Sequence, residues 1–400
     1  MDYIEKFEKS AFGLFVHFGL YSRISKGEWY LSLNEKQHKK DYFDLQKFKV
    51  KADWSKKLVK CAKETGCKYI TLTTRHHDGF SLYDTQGLNT FDAPHSATGR
   101  DLIKEFVEEC NKENVTPFFY HTLLDWHNED YLNNFPKYVD YLIRSIEILC
   151  TSYGKIGGFW FDGMWDHDRD SVPFDWQLTQ QYSLIHRLQP ACLIGNNHHL
   201  TPFPGEDIQL FERDVPGENK AGLSGQEISR LPLETCQTMN GMWGYKVSDT
   251  NYKSSAQLIR LLARTAAKGA NLLLNVGPQP DGSLPETALS RLKEMGEWLR
   301  ANGEAIYATE GCDWAAGDTV VCTKNADALF IHLLSENVDA VTGIPLAKKP
   351  KSVTVLTSGE KLPFTFKNGT LSITNLRSLR RGDNDTSRAA SCADLVLKVR

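Results

Sequence analysis

Between Phe12 and Val276 short apolar runs of strand character alternate with helical patterns, and this alternation limits the possible folds more than any other feature of the chain. Strand candidates are Phe12 to Gly19, Tyr69 to Thr74, Thr116 to His121, Gly157 to Asp162, Cys192 to Gly195, Ile208 to Phe211, Glu234 to Thr238 and Asn271 to Val276. Helical spacing of apolar residues runs over Asp53 to Thr65, Leu102 to Asn111, Tyr138 to Ser152, Thr179 to Leu188, Ala256 to Lys268 and Pro285 to Asn302. Eight strands interleaved with helices over about 300 residues predict an α/β fold of the (β/α)8 TIM-like barrel type. A doubly wound open sheet is the alternative, but no GxGxxG or GxxxxGK[ST] phosphate loop follows any of these strands.

After Asn302-Gly303 the pattern changes. Val320 to Cys322, Ala328 to Leu333, Ser352 to Leu356, Phe364 to Phe366, Leu371 to Ile373 and Asp394 to Val399 are short β-like runs separated by turn residues. A catalytic barrel over 1–303 and a small C-terminal antiparallel β-sandwich over 304–400 are therefore expected. A net charge of -3 provides no basic field for a nucleic-acid backbone. No apolar segment approaches membrane-spanning length, and Met1 to Lys6 lacks the basic end and apolar run of a signal peptide, so a cytoplasmic protein without membrane association is expected. Nine cysteines without a CxxC pair read as reduced thiols. Oligomeric state leaves no trace in the sequence.

In a barrel of this kind the C-terminal ends of the strands line the active site. Those ends carry His17 followed by Glu28-Trp29-Tyr30, then Arg75-His76-His77-Asp78, Tyr120-His121, Asp162, Phe211-Glu212-Arg213-Asp214 with Gly217-Glu218-Asn219, and Met242-Trp243-Gly244-Tyr245. Histidines, carboxylates and tryptophans converging on one rim describe a carbohydrate pocket, because hydroxyls need directed donors and acceptors while the C–H face of a pyranose needs an aromatic platform. Each residue also has a plainer reading: Asp162 as a turn cap, His17 as a core histidine, Glu28-Trp29 as a surface turn, Trp243 as core. A metal held by His76 and His77 is disfavoured, since successive strand residues point to opposite faces, and no cofactor is expected.

Phe12 to Ser22 with Gly27-Glu28-Trp29-Tyr30 resembles the opening of the retaining α-L-fucosidases, in which the aromatic after the histidine is more often Trp than Phe18. His76-His77-Asp78-Gly79-Phe80, Trp160-Phe161-Asp162-Gly163, Trp243-Gly244-Tyr245, Asn271 to Pro278 with Asp281-Gly282, and Asn302 to Tyr307 are similar to that family in the same order. The resemblance implies a (β/α)8 domain followed by a β-sandwich, and exo-hydrolysis of terminal α-L-fucosides with retained configuration on a fucosylated oligosaccharide or glycoconjugate. A carbohydrate-binding protein that kept the pocket without the chemistry is the alternative. Carried over by position, Asp162 is the nucleophile; His17, Glu28, Trp29, His76 and His77 hold the fucose hydroxyls, with Tyr120 nearby and Trp243 as an apolar wall for the 6-methyl group.

The acid/base stays open between two glutamates. In one branch of the family it ends a strand of the form Asp-x-x-x-x-Glu, which Asp207 to Glu212 matches; in another it follows an arginine by five residues in Arg-x-x-Gly-Asn-Glu, which Arg213 to Glu218 reproduces imperfectly. A fixed strand end favours Glu212. Glu206 and Glu234 are outside candidates.

Overall fold

The structure, a computed structural model, describes residues 3–33, 39–167, 174–312, 314–315, 317–380 and 393–400. Eight parallel strands form one sheet: β1 Phe12–Val16, β2 Tyr69–Arg75, β3 Thr116–Thr122, β4 Gly158–Asp162, β5 Leu193–Asn196, β6 Gln209–Glu212, β7 Leu233–Thr238 and β8 Ala270–Val276. Their order is β5-β4-β3-β2-β1-β8-β7-β6. A single parallel bridge between Gly195 and Ile208 joins the two outer strands, so the sheet curls into a nearly closed barrel instead of a doubly wound open sheet.

Alternation along the strands divides the interior. Ile70, Leu72, Phe119, Phe159, Leu272 and Leu274 point outward into one continuous core with the surrounding helices, while Phe15, Tyr69, Phe118, Tyr120, Trp160, Leu193, Leu210, Cys236 and Leu273 fill the barrel itself. The helix Trp54–Thr65 shows how the outer layer is built. Trp54, Leu58, Val59 and Ala62 are buried on one face, and Gly66 at φ 101 ends the helix by donating its N–H back to Ala62 and Lys63. Ser254 and Gln257 close a reciprocal capping box at the start of Ser255–Ala267.

The floor of the barrel comes from a segment without a clear sequence signal. The six-residue helix Tyr3–Glu8 sends Phe7 under the strands, with its ring 5.4 Å from Tyr69 and 5.8 Å from Phe118, and Asn271 Nδ2 donates to the Phe7 carbonyl at 2.7 Å. Above that floor the carboxylate of Glu234 accepts from the Tyr69 hydroxyl and from Trp160 Nε1. Burial pushes Glu234 up to about 7.

Past Asn302 the sequence turns to antiparallel strands. β9 Glu310–Gly311, β10 Val320–Lys324, β11 Leu329–Leu333, β13 Val353–Val355 and β16 Leu395–Val399 form one sheet, and β12 Ala340–Pro345, β14 Phe364–Lys367 and β15 Thr370–Thr374 a second. Val320, Ile331, Leu333 and Leu397 of the first share a core with Ile344, Leu371 and Ile373 of the second, which is the expected sandwich. Strand β12 lacks an alternating pattern because its register against β15 shifts between Val341 and Ile344, with Gly343 at φ 78. Among the described residues there is no disulfide, and no helix is long and apolar enough to cross a membrane.

Candidate active site

The strand that ends in Asp162 owes its path to two glycines. A Cβ on Gly158 would enter the Phe118 ring and come 2.7 Å from the Leu193 carbonyl oxygen, so only glycine lets β4 lie this close to its neighbours. Gly163, at φ 90, then turns the chain out of the strand. Asp162 is left at the barrel mouth, one wall of a cavity of about 610 Å³ lined by Phe15, His17, Trp29, His76, His77, Trp160, Asp162, Trp165, Asp166, Asn197, His199, Glu212, Leu223 and Trp243.

Three donors hold the Asp162 carboxylate, and a histidine nitrogen faces it. Tyr120 Oη donates to Oδ2 at 2.9 Å, Trp165 Nε1 to Oδ1 at 3.1 Å, and Asn197 Nδ2 to Oδ1 at 3.3 Å, while His77 Nε2 lies 3.5 Å from Oδ2. Glu212, the last residue of β6, stands across from it. Its Oε2 accepts from the same Asn197 nitrogen at 2.9 Å, and His199 Nε2 and Arg213 Nε lie 3.7 and 3.9 Å from its two oxygens. Two oxygens held at 3.3 and 2.9 Å from one nitrogen lie no more than about 6.2 Å apart. Burial, and after it the charge of Glu212, pushes Asp162 up to about 7 in spite of its donors. Near neutral pH the Asp162 carboxyl is therefore not fully charged.

The imidazoles are neutral and oriented. Asn275 Nδ2 donates to the Trp243 carbonyl at 2.8 Å, so its Oδ1 is left to accept from His17 Nδ1 at 2.7 Å and the lone pair of His17 lies on Nε2. Thr122 donates its hydroxyl to the Leu124 carbonyl and accepts from His77 Nδ1 at 2.7 Å, which assigns His77 in the same way. Burial pushes both rings down to about 3, and His76, stacked on Tyr120 with centroids 5.4 Å apart, well below the ordinary value. His76 and His77 line the same cavity, contrary to the expectation of opposite faces. Strand β2 ends at Arg75 after a register shift, so strand alternation no longer applies to them. Their ring centroids are 4.2 Å apart, yet among the described residues no group of three His, Cys, Asp or Glu is arranged to hold a metal ion.

Three sequence candidates lie off the cavity wall. Tyr120 has no exposed surface and reaches the site only through its hydroxyl on Asp162. Glu28 is 2% exposed and its Oε2 accepts from Gly244 N at 2.7 Å, tying the loop after β1 behind Trp243; burial raises it above the ordinary carboxylate range. Glu218 is not brought to Asp162 at all. The turn at Gly217, φ 86, swings it outward, where it pairs with Arg264 and with Lys220 at 3.1 Å beside a separate hollow. Glu206 is buried against His198 and Tyr182, and Glu234 lies beneath Trp160, so neither reaches the cavity. Conversely, Trp165, Asp166, Asn197 and His199 line it without having been singled out. Asn197 and His199 follow the fifth strand directly, and a systematic reading of every strand end would have included them.

A family model described as Alpha-L-fucosidase matches residues 2–304. The chain belongs to the alpha-L-fucosidase family of glycoside hydrolases. Tissue alpha-L-fucosidase of Mus musculus is 28% identical over 92% of this chain and 84% of its own length. Among solved structures, alpha-L-fucosidase isoenzyme 1 from Paenibacillus thiaminolyticus superposes with a TM-score of 0.84 at 28% identity, covering 99% of this chain and 98% of that one. An alpha-L-fucosidase from Bacteroides thetaiotaomicron, trapped as a covalent intermediate with 2-fluoro-fucosyl fluoride, shares the fold with a TM-score of 0.83 at 20% identity, covering 100% and 95%.

Proposed function

We propose that this fucosidase-family chain hydrolyses terminal α-L-fucosyl linkages with retention of configuration, with Asp162 as nucleophile and Glu212 as acid/base. The observation that carries this reading is that one nitrogen, Asn197 Nδ2, donates to both carboxyls, at 3.3 and 2.9 Å, which keeps these oxygens within about 6.2 Å of each other and below the roughly 6.5–9.5 Å that an inverting enzyme needs for its water. The first displacement joins an Asp162 oxygen to the anomeric carbon while the aglycone leaves with a proton from Glu212. In the second, Glu212 removes a proton from water, which attacks the same carbon and frees Asp162. Three direct donors on Asp162 stabilise the ionised form that the first displacement needs.

The rest of the cavity suits a 6-deoxy sugar. Neutral His17 and His77 offer Nε2 lone pairs to sugar hydroxyls, and Trp29 completes that side with His76. Phe15, Trp160 and Trp243 provide apolar surface for a methyl group. Glu28 holds the Trp243 wall in place through Gly244, and Tyr120 orients Asp162.

Hydrolysis of an aryl α-L-fucoside and of α-1,2, α-1,3, α-1,4 and α-1,6 fucosides, with the first-formed anomer followed by NMR, tests the proposal. Release of α-fucose as the first product is expected. Fucose binding without turnover across the set, or β-fucose appearing first, would overturn it.

A further inference from the structure

One side-chain nitrogen touches both carboxyls of the site, and the chain on either side of it is pinned. Asn197 is 3% exposed, and its backbone N–H donates to the Phe161 carbonyl at 2.9 Å, one residue before the proposed nucleophile. The preceding Asn196 donates from Nδ2 to the Tyr182 hydroxyl at 2.8 Å, which donates in turn to Glu206 Oε1 at 2.9 Å. The following His198 meets both oxygens of Glu206 through Nε2 at 3.1 Å, and Phe203 N closes the loop on Glu206 Oε2 at 3.1 Å. His198 and Glu206 are themselves buried. A buried Tyr182–Glu206–His198 cluster thus grips the residues flanking Asn197, and the amide between them has little freedom to turn away from its two acceptors.

We propose that Asn197 is a positioning residue for both half-reactions, its two amide N–H groups holding Asp162 and Glu212 at displacement spacing and following the negative charge as it passes from one carboxyl to the other. The inference rests on the assignment of Asp162 and Glu212 above. As the bond from Asp162 to the anomeric carbon forms and the bond to the aglycone breaks, the leaving oxygen takes the Glu212 proton. Asp162 becomes a neutral ester and Glu212 an anion. The N–H on Glu212 then becomes the charge-assisted bond, and the one on Asp162 an ordinary bond. When water attacks and returns a proton to Glu212, the two exchange again. Because the amide occupies Glu212 Oε2, the transferable proton sits on Oε1.

Asn197→Ala and the isosteric Asn197→Asp test this on an aryl α-L-fucoside. Loss of one oriented donor in a closed site costs about 10²- to 10³-fold in kcat, and that loss is expected in both variants with KM moving far less. The pH profile separates positioning from packing. Removing a donor from a carboxylate raises its pKa, so both limbs of the kcat/KM bell should move to higher pH in Asn197→Ala, and further in Asn197→Asp, which adds a negative charge. Wild-type kcat in Asn197→Ala, or a loss with both limbs unmoved, would overturn the proposal. Thermal unfolding checks the fold, and the Asp variant, equal in size, carries the test if the Ala variant does not fold. A wild-type enzyme without fucoside turnover would instead remove the underlying assignment before any variant is measured.

Discussion

The hydroxyl of Tyr120, on a side chain with no exposed surface, donates to Asp162 Oδ2 across 2.9 Å. It is a direct donor to an oxygen of the proposed nucleophile, and it favours the ionised form. Tyr120→Phe removes it and leaves the ring stacked between His76 and Trp160. A hydrogen bond to a charged group contributes about 1.5–3 kcal/mol, so kcat/KM should fall about 10- to 10²-fold. Asp162 is held at about 7; without the donor it rises further, and the acid limb of the kcat/KM profile should move to higher pH. A pH-rate series on the variant measures this, and a limb that stays or moves to lower pH would contradict it.

Glu212 and Glu218 divide by position. Glu212→Ala should lose at least about 10²-fold in kcat on substrates with poor leaving groups and much less on an aryl fucoside of low leaving-group pKa, because only the former need protonation. Glu218→Ala should change both by less than about 3-fold, since it breaks a partly exposed ion pair with Arg264 and Lys220 outside the cavity. Kinetics of the two variants over a leaving-group series decide between them. The reverse pattern would return the acid/base role to Glu218.

Glu234 makes a prediction about stability. Its carboxyl is pushed up from 4.5 to about 7 by burial, so between these values the folded protein holds a proton that the unfolded chain has released. Its contribution to stability is therefore present below about 4.5 and is lost as pH rises through 7. Glu234→Gln removes the titration while keeping the size of the side chain between Tyr69 and Trp160. The fall in Tm from pH 5 to pH 8 should be smaller in the variant by about 3 degrees, as about 2.5 kcal/mol of linkage disappears. Calorimetry at the two pH values measures it; equal slopes would contradict the assignment of Glu234 as a buried titrating group.

The barrel was legible because each strand is a short apolar run with a helix of 3.6-residue spacing behind it, and Asp162 stood out because Gly157-Gly158 and Gly163 bracket three aromatics. What escaped was decided by contacts far apart in sequence. Phe7 becomes a barrel floor only when Tyr69 and Phe118 exist above it. Ala340–Pro345 hides as a strand because its register shift destroys the period of two. His76 and His77 share a cavity because β2 stops before them, which no propensity at the pair itself records. Glu28 carries the right motif but spends its carboxylate on Gly244 N, 216 residues away. Asn197 is an ordinary polar residue until β4 and β6 bring two carboxyls to one nitrogen. Strand-end chemistry was therefore readable one strand at a time, while the links between strand ends needed the closed barrel.

In the proposed mechanism Asp162 forms the covalent bond to fucose. Inactivation with 2-deoxy-2-fluoro-α-L-fucosyl fluoride, followed by proteolysis and mass spectrometry of the labelled peptide, identifies the residue that carries the sugar. One sugar adduct per chain, on Asp162 and absent from Asp162→Ala, is the predicted result. An adduct on another residue, or continued turnover of the reagent without any adduct, would contradict it.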